Sequence, residues 1–399
     1  KSASLAVHNH QIPESGAASR IVRQIVHVHE NAATSPSVYR TYDGISGRPI
    51  GKGGTSNVVR VTHKITKQEY ALKIINMHRL TAEKRTQLLR EVEIMRSLDH
   101  PNIIRIHEVF KTEFTLFIVM EFCTGGELFD DLERCPNMQM PENEVRDHTA
   151  NILRSLAYLH LNGIVHRDLK LENFIFTSKN RDTRVLKMID FGYSRTYLEG
   201  TYMTSIVGTA FYIAPEVLSL HYGKEADLWS LGCMVYMMVT GEIPIPGRSD
   251  EEVIANVKKT KEKHVKYGSR AGRLVRGLSA EVIDFINVCM TVDPSARPTA
   301  ESALDHPWFK AKLSAEEAEK MHRESTVAME EFGQKITQFK NYSEFKKLAL
   351  IATSVNLQTE QLNDLKKRFV EMDTNHTGTI THEEFIKALE NTSIPAGDL

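Results

Sequence analysis

The stretch HRDLKLENF, residues 166–174, constrains this chain more than any other. It sets Asp168, Lys170 and Asn173 close together, and IDFG brings a second carboxylate, Asp190, soon after. Moving a phosphoryl group calls for these residue types. One carboxylate accepts or orients a hydroxyl proton, a carboxylate and an amide oxygen hold Mg²⁺, and a lysine balances charge on the moving group. A lone Asp in a loop is usually a cap or turn residue. That reading does not account for the whole ordered series, because more of it lies upstream.

There, IGKGGTSNVVRV places Gly51 and Gly53 between strand-like segments, where bare backbone can come close to a phosphate. Alone this is weak, since many such stretches are only tight turns. It is followed by Lys73 in YALKII and by Glu91 in a helical segment. A strand lysine could bind phosphate oxygens with a helix carboxylate holding it. Taken by itself, the pair reads equally as two solvated charges.

NVVRVTHK and QEYALKII have the β-branched texture of strands, with a turn-like ITKQ between them. AEKRTQLLREVEIMRSL has helical spacing and stops before DHPN, and TLFIVMEF reads as a buried strand. Helical segments dominate from there to about Phe309. The expected class is therefore α+β: a small strand-rich part, then a larger helical one. Residues 1–38 form an extension, in which RIVRQIVHVHE could make a short helix. Residues 39–309 form the main domain, 310–356 a charged amphipathic linker, 357–391 a helix-loop-helix, and 392–399 a tail.

The formal net charge of −1 gives no pull towards nucleic acid. The four cysteines, Cys123, Cys135, Cys233 and Cys289, include no CxxC pair, which favours a reducing, cytoplasmic setting. The apolar runs are too short to span a bilayer. Because the chain begins at Lys1 rather than Met, a lipidation signal at the natural N-terminus is not read from it. The basic run Lys258–Arg276 reads as a solvated loop or as a docking patch for an acidic partner or an anionic membrane.

The ordered set resembles a eukaryotic protein kinase over roughly Tyr39 to Phe309. The resemblance implies a bilobal fold, with a β-rich small lobe and a helical large lobe. It implies that Gly51, Gly53, Val58 and Lys73 contact ATP, with Glu91 pairing Lys73. Asp168 would be the catalytic base, assisted by Lys170, while Asn173 and Asp190 bind Mg²⁺. Glu121 and Cys123 fall where connecting backbone would bind adenine, after a gatekeeper Met120. Glu127 and Glu172 match positions that favour basic residues before a target hydroxyl. Glu216 of APE resembles the partner of Arg297, and Asp227 the carboxylate that anchors the catalytic loop. Lys170 and Thr209 are of the serine/threonine-specific type. Ser56 replaces a glycine and Leu171 a proline, and neither removes a ligand.

Near the end, DTNHTGTITHEE (373–384) has the spacing of a calcium-binding loop. Its ligands would be Asp373, Asn375, Thr377, the Thr379 carbonyl, Thr381 and Glu384. With charge only at Asp373 and Glu384, a weak or Mg²⁺-competed site is expected. Kinase plus EF-hand resembles the calcium-dependent protein kinases of plants and apicomplexan parasites. That implies a junction helix (FKKLALIATSV) occupying the substrate cleft, a monomer, and protein substrates with basic residues near the target. Two alternatives stand beside it: a calcium-responsive scaffold without turnover, and a calmodulin-dependent kinase with a vestigial EF-hand.

Overall fold

The computed structural model describes residues 27–30, 38–52, 56–197, 200–260 and 277–310. At the C-terminal end it also describes 372–374, 380–381, 384 and 387. Residues 311–356 of the linker, 261–276 of the basic run, and Gly53, Asn375, Thr377 and Thr379 lie outside the described residues.

The small lobe is one sheet. Its strands are β1 (His27–Glu30), β2 (Tyr42–Asp43), β3 (Pro49–Lys52), β4 (Ser56–His63), β5 (Glu69–Asn76), β6 (Ile106–Lys111) and β7 (Thr115–Glu121). Their order is β1-β6-β7-β5-β4-β2, with β3 also on β4. The turn between β4 and β5 passes through Lys67 at φ 59°, where the ITKQ turn was expected. In β7, alternation feeds two cores. Phe117 and Val119 join Val38, Tyr42, Val61 and Leu72, while Leu116, Ile118 and Met120 join the main cluster with Leu88, Val92 and Met95.

The extension departs from the helix reading at its described end. His27–Glu30 is a strand, paired in parallel with Glu108–Lys111 of β6. The open edge of β6 offers unpaired backbone groups, and strand pairing satisfies them where an isolated helical turn would not. A short helix, α1 (Val38–Thr41), follows, and its Val38 is fully buried in the sheet's outer core.

Helix α2 (Ala82–Ser97) starts at Thr81, whose hydroxyl accepts from the Lys84 amide at 3.3 Å. It buries Leu88, Glu91, Val92, Ile94 and Met95 against the sheet side of the core. The large lobe holds α3 (Leu128–Glu133), α4 (Glu142–Leu161), α5 (Glu225–Thr240), α6 (Asp250–Lys259), α7 (Ala280–Cys289) and α8 (Ala300–Ala303), with α4 and α7 packed on the largely buried α5. Trp229 and Trp308 are sealed in this core. Among the described residues no helix is long and apolar enough to cross a membrane.

Candidate active site

The antiparallel pair of β8 (Ile164–Val165) with β11 (Arg195–Thr196), and the hairpin of β9 (Phe174–Phe176) with β10 (Leu186–Met188), frame the loop His166–Asn173. Arg167 sits at φ 69°, a conformation costing a non-glycine residue about 1–3 kcal/mol. The strain is held by Asp227 of α5, whose carboxylate accepts from the His166 amide at 2.9 Å and the Arg167 amide at 2.8 Å. His160 of α4 lies 2.8 Å from the same carboxylate. Burial would push Asp227 up, but the His160 hydrogen bond and charge, with His166, hold it below the usual carboxylate range.

With the loop fixed, Asp168 faces the cleft. Its Oδ2 accepts from Lys170 Nζ at 2.9 Å and its Oδ1 from Thr209 Oγ1 at 2.9 Å. Lys170 also donates to Thr209, at 3.3 Å. Burial alone would lower the Lys170 ammonium, yet the hydrogen bond and charge of Asp168 outweigh it and raise its pKa. Thr209 reaches this point because Gly208 turns at φ 104°, where an added Cβ would lie 2.8 Å from the Arg167 carbonyl oxygen. Only bare backbone fits that approach. Arg167 Nη1 also donates to Ser205 Oγ, at 3.1 Å.

Asn173 donates its amide NH₂ to the Asp168 carbonyl at 2.8 Å, which leaves the amide oxygen available as a ligand. Asp190 follows β10 and accepts from the Gly192 amide at 3.0 Å. Across the cleft, Lys73 on β5 lies 3.5 Å from Glu91 on α2. Glu91 is only 8% exposed, so the pair is not two solvated charges. Burial raises the Glu91 pKa and Asp190 adds to this, against the pull of Lys73. Lys73, Glu91, Ser56 and Gly192 line an open cavity of about 180 Å³. Gly51 faces Val58 across the β3–β4 pairing, and a Cβ there would contact the Val58 side chain at 3.6 Å.

Met120 and Glu121 end β7, and Cys123 is partly exposed in the connection that follows. Glu127 caps α3, and burial, then Asp130 and Glu172, push its pKa up. Behind the activation segment, Arg297 clasps Glu216 at 2.5 and 2.8 Å, both buried. The linking role of His160 was not read from sequence; a histidine at the end of an amphipathic helix carries no signal that it will meet a carboxylate on another helix.

Of the calcium-loop candidates, Asp373, Thr381 and Glu384 are described. Glu384 accepts from Thr381 N and Oγ1, each at 2.9 Å, and from Thr374 Oγ1 at 3.0 Å. The Glu384 amide returns a bond to Thr381 Oγ1 at 3.2 Å, completing the reciprocal pair of a capping box. Asp373 and Glu384 are both buried.

A family model described as protein kinase domain matches residues 45–309. Calcium-dependent protein kinase 3 of Plasmodium berghei (strain Anka) is 34% identical over 355 residues, 88% of this chain and 60% of that protein. Calcium-dependent protein kinase 9 of Arabidopsis thaliana is 32% identical over 362 residues, 90% of this chain and 63% of its own. Calcium-dependent protein kinase 19 of Arabidopsis thaliana is 30% identical over 397 residues, covering 97% and 69%. The chain spans about three fifths of the length of the first of these curated relatives.

Proposed function

The chain belongs to the protein kinase family, and from that premise we propose that it transfers the γ-phosphoryl group of MgATP to serine or threonine of a protein substrate, under calcium control. The observation that carries the reading is the convergence of Lys170 and Thr209 on the two oxygens of Asp168. A substrate hydroxyl entering there meets a carboxylate oriented to take its proton and a lysine whose charge faces the transferred group.

The donor set fits the nucleotide's metal. The amide oxygen of Asn173 and the carboxylate of Asp190 are hard oxygen ligands of the kind Mg²⁺ takes. Bound Mg²⁺ would neutralise charge on the phosphates. In this reading Lys73 holds phosphate oxygens, Glu91 fixes Lys73, and the strand end at Glu121–Cys123 offers backbone to adenine. Glu127 and Glu172 favour a basic peptide. All the phosphate- and metal-contacting residue types are present, which supports turnover over a scaffold role.

The end of the chain supports calcium sensing. Asp373, Thr381 and Glu384 are oxygen donors suited to Ca²⁺, and Glu384 already folds back on Thr381 and Thr374 at the other side of the loop. We place the inhibitory role in the junction within 310–356, which an opened EF-hand would capture. The test is phosphorylation of a basic Ser/Thr peptide with calcium and with chelator. Turnover that rises with calcium supports the whole reading. Equal turnover in both removes the calcium part, and no turnover with MgADP still bound, persisting after deletion of residues 314–399, removes the enzyme.

A further inference from the structure

Lys187 is the middle residue of β10, and only 1% of it is exposed. Burying an ammonium costs several kcal/mol unless it is paired and hydrogen-bonded. Its Nζ lies 2.8 Å from Glu121 Oε1 and donates to the Ile103 carbonyl at 3.3 Å. The same Glu121 oxygen accepts from the Arg105 amide at 2.8 Å. The Glu121 side chain thus joins β10 to the segment entering β6, and its amide donates to the Arg105 carbonyl at 3.0 Å.

These contacts tie three elements together. Glu121 ends β7, the strand that leads into the connection between the lobes. Segment 102–105 is laced to β10: the Met188 amide donates to the Asn102 carbonyl at 2.8 Å and the Ile104 amide to the Met188 carbonyl at 2.9 Å. Asn102 Nδ2 adds a bond to the Leu186 carbonyl at 3.0 Å. Asp190 lies just beyond β10 in the chain. The neighbouring His107 brings no competing positive charge, because burial and Arg105 lower its pKa to about 4.

We propose that Lys187 is a positioning residue for nucleotide binding: its ion pair with Glu121 fixes the connection that would receive adenine relative to the strand that delivers Asp190 to the metal. An apolar pair of similar volume would bury at lower cost. What the ion pair adds is direction, since a 2.8 Å charged contact allows one register between β7 and β10 where a greasy contact allows several. The two ends of the nucleotide site are thereby held at one separation. This inference rests on the nucleotide reading of the cleft given above.

The experiment uses the full chain, MgADP calorimetry, steady-state kinetics with a basic peptide, and thermal melting. Lys187→Met alone leaves the Glu121 charge uncompensated and is expected to destabilise the fold. The informative variant is the apolar pair Glu121→Met with Lys187→Met. It should melt near the wild type while its MgADP Kd and its KM for ATP rise about tenfold. Lys187→Arg, with Glu121 in place, should keep most of the affinity. Wild-type MgADP affinity and KM in the folded double variant would overturn the proposal. If that variant does not fold, Glu121→Gln decides: it keeps an acceptor for Lys187 and Arg105 while removing the charge. A weakened MgADP affinity in it supports the proposal, and an unchanged one overturns it. A wild-type chain that binds no MgADP would instead sink the nucleotide reading, and this inference with it.

Discussion

On the large-lobe wall of the cleft, Asp227 accepts two backbone bonds and a contact from His160, while Arg297 and Glu216 lock the far side through two charged hydrogen bonds. On the small-lobe wall, Lys73 meets Glu91 across 3.5 Å, with a quarter of the Lys73 side chain exposed. The first wall is redundantly anchored in the core. The second joins its strand to its helix through one longer ion pair, and otherwise rests on the apolar packing of α2. A fold built this way can let α2 shift without losing its large lobe, so a regulator has most purchase on the small-lobe side. The two walls should then fail differently when damaged: one by unfolding, the other by losing rate.

Asp190→Asn tests the chemistry where the walls meet, and should have the largest effect. Its Oδ1 can still accept from the Gly192 amide, so the melting temperature should hardly move. Losing a charged metal ligand should lower kcat by more than about a thousandfold. A variant keeping more than a few per cent of turnover would remove Asp190 from the metal site.

Arg297→Ala attacks the large-lobe wall. It strands the buried Glu216 carboxylate and the carbonyls of Thr291, Val292 and Glu225 that Arg297 serves. Removing one partner of a buried ion pair costs about 3–5 kcal/mol, which denaturant unfolding would read directly. Glu91→Gln attacks the other wall. It should cost about tenfold in kcat/KM, or about 1.4 kcal/mol, and leave unfolding nearly unchanged. If Glu91→Gln unfolds the protein as badly as Arg297→Ala, the contrast between the walls is wrong.

The difference also explains what could be read from sequence. Asp168, Lys170 and Asn173 were legible because the chemistry needs them within one short loop, and the loop's own backbone sets their spacing. Lys73 and Glu91 lie on separate elements, so the sequence left them open to being two solvated charges; only the packing of α2 on the sheet buries Glu91. Strand β7 was legible from its unbroken apolar run. The strand His27–Glu30 was not, because four residues carry too little periodicity and its partner edge lies some eighty residues away. Lys187 did leave a trace, a lone charge in the apolar run VLKMI. Its partner is set by tertiary register, which no local pattern records.

Acid should separate the walls in order, with the smallest effect of the four. Glu91 is raised above its ordinary value, first by burial and then by Asp190. As pH falls, it takes up its proton before an ordinary carboxylate does, and the charge facing Lys73 is lost. The folded state binds that proton more readily than the unfolded one, so this step does not weaken the fold; its contribution to stability increases as pH drops. Asp227 has the opposite sign. Held below the usual range by His160 and His166 against its burial, it contributes stability above the unfolded value of about 3.9, and that contribution is lost as pH falls through its lower folded value. Activity should therefore decline on the acid side while melting temperature is still level, and the fold should give way only at lower pH. The early decline should not exceed the cost of Glu91→Gln, about tenfold, and that variant should lack it. Parallel pH profiles of kcat/KM and of melting temperature for wild type and Glu91→Gln check this. A wild-type acid limb that survives unchanged in Glu91→Gln would assign the limb to another group and leave the small-lobe wall no more yielding than the large.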